Sequence, residues 1–306
     1  MMRLSVVVFL LFMTSNTTIA MKPHDTDSVH GKIQSFADLL ALLAGKPAQG
    51  DLDIRIQVQE DLSLEQREAV LQESMQWLRE HPSVAARITR LELQDNFLQQ
   101  VPVALLALLP NLVYLNLGDN RIRDIPAGAF QLNTKLQELR IYSNRLVVIA
   151  KNVFTSPSLF YIDLSSNNIR EIDPEAFAQA INMQLISLLE NHITAPVFAA
   201  VQWPASIEGI NVGENNITEL PSGLFGNNSK LQKLYLQRNG LTRLDYSTLA
   251  NITNLIVLDL QDDPVDWQRL RLPPALWNRY QEGHCAILGL PKDWHPYGTR
   301  KREQSE

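Results

Sequence analysis

Apolar residues recur along this chain in short bursts with a fixed internal rhythm. In "LVYLNLGDNRI" (Leu112–Ile122), Leu115 and Leu117 alternate with Tyr114, Asn116 and Gly118. Period-two alternation belongs to a strand, so the leucines face one way and the intervening residues the other. The burst returns as "LQELRIYSNRL" (Leu136–Leu146), "LFYIDLSSNNI" (Leu159–Ile169) and "MQLISLLENHI" (Met183–Ile193). It comes back again as "IEGINVGENNI" (Ile207–Ile217) and "LQKLYLQRNGL" (Leu231–Leu241). Fainter copies precede and follow, "ITRLELQDNFL" (Ile88–Leu98) and "LIVLDLQDDPV" (Leu255–Val265). One asparagine marks the end of each burst, at 96, 120, 144, 167, 191, 215 and 239, with Asp263 in the last slot.

Strands this short cannot stand alone, so each is expected to pair in parallel with its equivalent in the next copy, about 4.8 Å away. The leucines then stack into an inner column. Asn120 and its equivalents leave the strand where the chain turns, and their amides can bond backbone groups that the turn strands inside. Asp263 accepts but cannot donate, so the ladder should weaken at its last rung. The pattern resembles the leucine-rich repeat, L-x-x-L-x-L-x-x-N-x-L, over residues 88–265. That resemblance implies an α/β solenoid, or horseshoe, with a parallel concave β-sheet. Phe130, Phe154, Phe177 and Phe225 follow ladder positions at a constant distance, as in secreted and cell-surface members of the family, and should close the core from the convex side.

A solenoid exposes its core at both ends and needs caps. "LDIRIQV" (Leu52–Val58) alternates like a strand, and Ser63–His81 reads as an amphipathic helix with Ser63 as N-cap and Gln66 completing a capping box. Ile33–Gly45 reads as a further short helix. Downstream, Trp267, Leu270, Leu272, Leu276 and Trp277 offer apolar cover without the cysteines of many extracellular relatives. The expected organisation is a signal peptide at 1–20, an N-terminal arm and helical cap at 21–87, eight repeats at 88–265, a C-terminal cap at 266–297 and a tail at 298–306.

The leader reading rests on Arg3, the apolar run Leu4–Met13 and small residues near Ala20. That run is too short to cross a bilayer, which takes about 20 residues, so a secreted, extracellular protein without a membrane span is expected. A net charge of −6 argues against nucleic acid as main partner. Cys285 is the single cysteine, so it is either buried or forms an interchain disulfide in a dimer; a non-covalent dimer is the other oligomer considered. Sequons at Asn216, Asn227 and Asn251 suit a secreted glycoprotein.

No catalytic or cofactor signature emerges, and the chain reads as a non-enzyme. His284 beside Cys285 lacks an orienting third group. Asp262, Asp263 and Asp266 read as a solvated acidic corner in preference to a calcium site.

The residues between the leucines should form the recognition face. The middle column runs Glu92, Asn116, Arg140, Asp163, Ser187, Asn211, Tyr235 and Asp259. Flanking it, Tyr114, Tyr142, Tyr161, Leu185 and Leu189 are expected to make one exposed apolar and aromatic patch, with a shallow dip at Gly209 and Gly213. Such patches are favoured in protein interfaces; the same tyrosines would also suit packing against one another across rungs. Tyr114, Arg140, Tyr142, Tyr161, Asp163, Leu185, Leu189 and Tyr235 are therefore the candidate partner-binding residues. An acidic row, Asp95, Asp119, Glu190, Glu214 and Asp262, precedes the asparagines and suits a polar or basic extracellular protein ligand. The layout is similar to insect leucine-rich immune proteins, of a short type without the coiled coil. That implies innate immunity, with complement-like factors or microbial surfaces as partners. A matrix or cell-adhesion protein and a secreted enzyme inhibitor stand as alternatives.

Overall fold

The computed structural model describes residues 4–10, 52–58, 64–267 and 269–291. The predicted helix at 33–45, the Ser63 cap and the tail at 298–306 lie outside them.

The strands are β1 (Leu4–Leu10), β2 (Leu52–Val58), β3 (Ile88–Glu92), β4 (Tyr114–Asn116), β5 (Glu138–Arg140), β6 (Val148–Ile149) and β7 (Tyr161–Asp163). They continue as β8 (Glu171–Ile172), β9 (Leu185–Ser187), β10 (Gly209–Asn211), β11 (Lys233–Tyr235), β12 (Val257–Asp259) and β13 (Ala286–Leu288). They fall in two compact units, one running to Leu146 and including Asn152–Ile162, the other holding Val147–Lys151 and the chain from Asp163 onward.

In the first unit the registers match equivalent repeat positions. Arg90 stands opposite Tyr114 and Tyr114 opposite Glu138; Leu91, Leu115 and Leu139 align; so do Glu92, Asn116 and Arg140. The amides of Phe160 and Tyr161 then both reach Gln137 O, at 2.8 and 3.0 Å. Leu91, Leu93, Leu115, Leu117, Leu139 and Ile141 are buried, with Phe130 and Phe154 closing the core from the loop side. The predicted cap helix is present at Leu64–Glu80 and turns Met75, Trp77 and Leu78 inward. It stops at His81, whose ring stacks on Trp77 at 3.8 Å, and Pro82 opens a new helical turn.

Leu4–Leu10, part of the expected leader, pairs in parallel with β2 from Leu4 opposite Leu52 to Leu10 opposite Val58. The run holds three consecutive valines, Val6–Val8, so it carries strand propensity as well as leader-like hydrophobicity.

The second unit repeats the scheme. Leu185, Gly209, Lys233 and Val257 align, as do Ile186, Ile210, Leu234 and Leu258. Away from the strands Phe177 stacks on Trp203 at 5.6 Å, and Phe198 meets Trp203 and Phe225 at 5.4 and 6.4 Å. In the repeat after Asn191 the short helix Ala195–Ala200 replaces the extended loop and delivers Phe198 earlier than the other phenylalanines. The short pair β6 and β8 also lies in this unit. At its end Ala286–Leu288 adds a rung to β12 in register, which the sequence pattern did not announce. Leu270, Leu272, Leu276 and Trp277 are buried as cap residues.

The ladder is built as expected. Asn144 Oδ1 accepts from Ile122 N at 2.9 Å, while its Nδ2 donates to Leu117 O, Ile141 O and Tyr142 O at 2.9, 3.2 and 3.0 Å. Asn191 and Asn215 repeat this bonding in the second unit. Each amide satisfies backbone groups of its own turn and of the preceding one.

Candidate functional site

The residue before each ladder position adopts a left-handed conformation, with φ between 50° and 59° from Asp95 to Asp262. That reversal ends each strand after a few residues and leaves its outward side chains as one row per rung. On the first unit those rows converge on an array of alternating cations and phenols. The Arg90 guanidinium lies 3.3 Å from the Tyr114 ring centroid, and Arg140 stands between Tyr114 and Tyr161, 5.7 and 5.6 Å from their centroids.

Each arginine is held by a carboxylate two residues away. Arg90 Nη2 donates to Glu92 Oε1 at 2.9 Å, and Arg140 Nε and Nη2 reach Glu138 Oε1 at 2.8 and 2.6 Å. Burial works against the Arg140 cation, but the Glu138 hydrogen bond and the neighbouring phenols outweigh it and hold its pKa above the usual value. Its side chain keeps 39% of its surface exposed. An arginine flanked by rings and fixed by a carboxylate loses little freedom on meeting a partner.

The tyrosines divide. Tyr114 is 7% exposed because Arg90 covers its ring, so it supports the surface from beneath and is no part of an exposed patch. Burial pushes its phenol pKa up, against the opposing pull of Arg140 and Arg90. Tyr142 and Tyr161 are half-buried. The Tyr142 ring lies where a side chain at Gly118 would be, 2.4 Å from an ideal Cβ there. Its hydroxyl is 3.4 Å from Gln94 Oε1, which also accepts from Asn116 Nδ2 at 2.7 Å. Asn116 is buried by these contacts, so the middle column is not uniformly open.

The same leaning corrects the expected dip in the second unit. A Cβ at Gly209 would stand 2.7 Å from Leu185 Cδ2, and one at Gly213 would stand 2.4 Å from Gln237 Nε2. Side chains of adjacent rungs fill the space the glycines leave. Leu185, Leu189, Asp163 and Tyr235 are half-buried; Asp163 Oδ1 accepts from Ser165 N and Oγ at 3.1 and 2.6 Å. Asp259 is buried. In the row before the asparagines, Arg238 interrupts the acidic residues and bonds both Glu214 and Asp262, at 3.2 and 3.0 Å.

The remaining candidates resolve individually. Cys285 is 5% exposed, and burial pushes its thiol pKa up. The sulfur is enclosed in the cap, the first of the two alternatives that its solitary occurrence left open. His284 is exposed beside Glu282 at 3.3 Å. Asp262 and Asp266 bind Arg238 and Arg269 while Asp263 turns to the backbone, so the acidic corner does not converge on a point. Asn216, Asn227 and Asn251 are all exposed.

Two structural devices escaped the sequence reading. Asn133 Nδ2 donates to Leu106 O and Leu109 O at 2.9 Å each, and buried Asn228 reaches Pro204 O at 3.0 Å, a second set of amide clips on the loop side. Their spacing in sequence was the available signal. A cleft of about 710 Å³ between the cap helix and the Asn96–Leu105 loop is lined by Leu71, Met75, Phe97, Val101 and Pro126 among others.

Parallel rungs in repeat register, amide-clipped turns and an outward strand face define a solenoid with a built surface. The chain belongs to the leucine-rich-repeat family, whose "Leucine rich repeat" model matches residues 86–146, 134–193 and 206–265. No curated protein matches the sequence. Among solved structures it is similar to a chain of the Toll–Spätzle complex from Drosophila, with 22% identity, a TM-score of 0.60, and 83% of this chain covering 34% of that one. The leucine-rich-repeat domain of APL1 is similar at 18% identity and a TM-score of 0.52, over 88% of this chain and 69% of that one. Human 5T4 follows at 23% and 0.52, over 64% and 74%. The chain spans about a third of the Toll-complex chain it matches, and likenesses at these identities establish the fold.

Proposed function

We propose that this is a secreted leucine-rich-repeat recognition protein that binds an extracellular protein ligand on its strand face without turnover, in innate immunity. The observation that carries this reading is the braced array of Arg90, Tyr114, Arg140 and Tyr161, which offers Arg140 and Tyr161 half-exposed in a preset geometry. Aromatic and arginine anchors of this kind dominate the energetics of protein interfaces. Spare donors on Arg140 and the phenol of Tyr161 suit a partner carrying carbonyl or carboxylate groups among apolar side chains. The immune setting is supported by the resemblance to insect leucine-rich immune proteins and by likeness to a chain of the Toll–Spätzle complex and to APL1. The leader-like N-terminus and the exposed sequons at Asn216, Asn227 and Asn251 support secretion and glycosylation.

The test is capture from extracellular fluid of the producing organism on immobilised protein. A partner retained by the native chain should bind at least ten-fold more weakly to an Arg140→Ala/Tyr161→Ala double variant, for a hot-spot loss of about 1.4 kcal/mol or more. An Arg123→Ala control, exposed on the loop beyond the ladder turn, should bind normally. Equal loss in the control, or none in the double variant, contradicts the proposal.

A further inference from the structure

The last rung of the ladder carries a carboxylate where every earlier rung carries an amide. Asp263 Oδ1 accepts from three backbone amides, Asn239 N at 2.8 Å, Gly240 N at 2.6 Å and Leu241 N at 2.9 Å. Its other oxygen, Oδ2, is buried and has no hydrogen-bond partner among the described residues. In the preceding rung the corresponding atom is Asn239 Nδ2, which donates to Val212 O and Leu236 O at 2.8 and 2.7 Å. Translated by one repeat, the carbonyls that Asn239 Nδ2 meets correspond to those of Leu236 and Leu260, which the repeat would set opposite Oδ2. An ionised carboxylate sets an acceptor against acceptors there. A neutral acid carries an O–H that can donate, as the amide does.

We propose that Asp263 is a proton-sensitive clip: the protonated carboxyl completes the asparagine ladder beside the C-terminal cap, and ionisation weakens that last rung while the cap stays closed. The location sets the rung against the cap. Leu260 N donates to Leu288 O at 3.1 Å, and the turn at Gly289, with φ of 87°, passes so close to Leu260 O that a Cβ would lie 2.7 Å from it. The backbone facing Asp263 is thus the backbone onto which β13 closes.

The charged surroundings favour the same direction. From β12, Asp259 places a like charge near Asp263. Asp262, next in the chain, is bonded to Arg238, and Asp266 to Arg269. β13 brings no ionisable side chain between Ala286 and Leu288. Burial is the largest influence and raises the Asp263 pKa; the three amide bonds lower it without cancelling that rise, and Asp259 raises it further. The folded chain therefore holds this proton more tightly than the unfolded chain. The stability it contributes is fully present below the midpoint of an unfolded aspartate and is lost as pH rises through the folded midpoint.

Two measurements test the clip. Carboxyl carbon NMR of the native chain should give Asp263 a titration midpoint above the roughly 3.9 of a free aspartate; a midpoint at or below that value overturns the proposal. Thermal melts of native protein and Asp263→Asn should differ at pH 7, the variant melting higher by about 2–4 °C. The gap should close as pH falls toward the native midpoint. A variant that melts no higher at pH 7, or by an amount independent of pH, overturns it equally.

Discussion

At the scale of single residues, the ladder asparagines share one task, whereas the strand-face tyrosines differ in how far they are covered. Asn191 accepts from Ile169 N and donates to Leu164 O, Leu188 O and Leu189 O. Asn191→Ala should therefore destabilise the fold by about 3 kcal/mol, since it strands several buried backbone groups at once; denaturant titration measures this, and a loss under 1 kcal/mol contradicts it. Gly118→Ala should instead swing the Tyr142 ring outward, because the ring tip, a movable group, occupies the Cβ space. Tyr142 would then become more accessible to iodination at little cost in melting temperature. Tyr114 should remain un-ionised as pH passes the ordinary tyrosine range, because burial raises its phenol pKa. Its contribution to stability holds below the unfolded midpoint near pH 10 and fades as pH rises through the folded one; difference absorbance near 295 nm follows the phenolate. The ladder was legible in the sequence because each asparagine's task is set by its own turn. The burial of Tyr114 was not, because it depends on Arg90, one rung away, folding over the ring.

At the scale of elements, alternation and spacing were enough to locate β4, β5, β7, β9, β10, β11 and β12, since each buries a leucine or isoleucine at the same repeat position. The strand Ala286–Leu288 escaped because its short apolar run lacks the leucine frame and finds its register only by lying against β12. The loop-side clips escaped for a similar reason: Asn133 and Asn228 sit in loops where asparagine is common, and only the fold brings carbonyls of the previous loop to them. Asn133→Ala should cost about 2 kcal/mol, as it uncovers Leu106 O and Leu109 O. Proteolysis within the Leu106–Asn133 segment should rise with it, and unchanged stability would reduce this clip to an incidental contact.

For the whole molecule, the repeats set out one outward row of side chains per rung, and the proposed recognition chemistry lies in those rows of the first unit. The single thiol is enclosed, so non-reducing electrophoresis should show no disulfide-linked dimer, and Cys285 should react with a maleimide only after denaturation. The array of Arg90, Tyr114, Arg140 and Tyr161 could be anticipated only in part, since the repeat positions put tyrosines and an arginine on one face without showing which rings would be covered. Whether that face meets the partner is open to one direct measurement. A photo-crosslinking p-benzoylphenylalanine is placed at Tyr161 on the strand face or at Gln131 on the loop side, and each protein is illuminated in extracellular fluid. A covalent adduct to a protein ligand from position 161 and none from 131 is the predicted result; adducts from 131 alone would contradict recognition through the strand face.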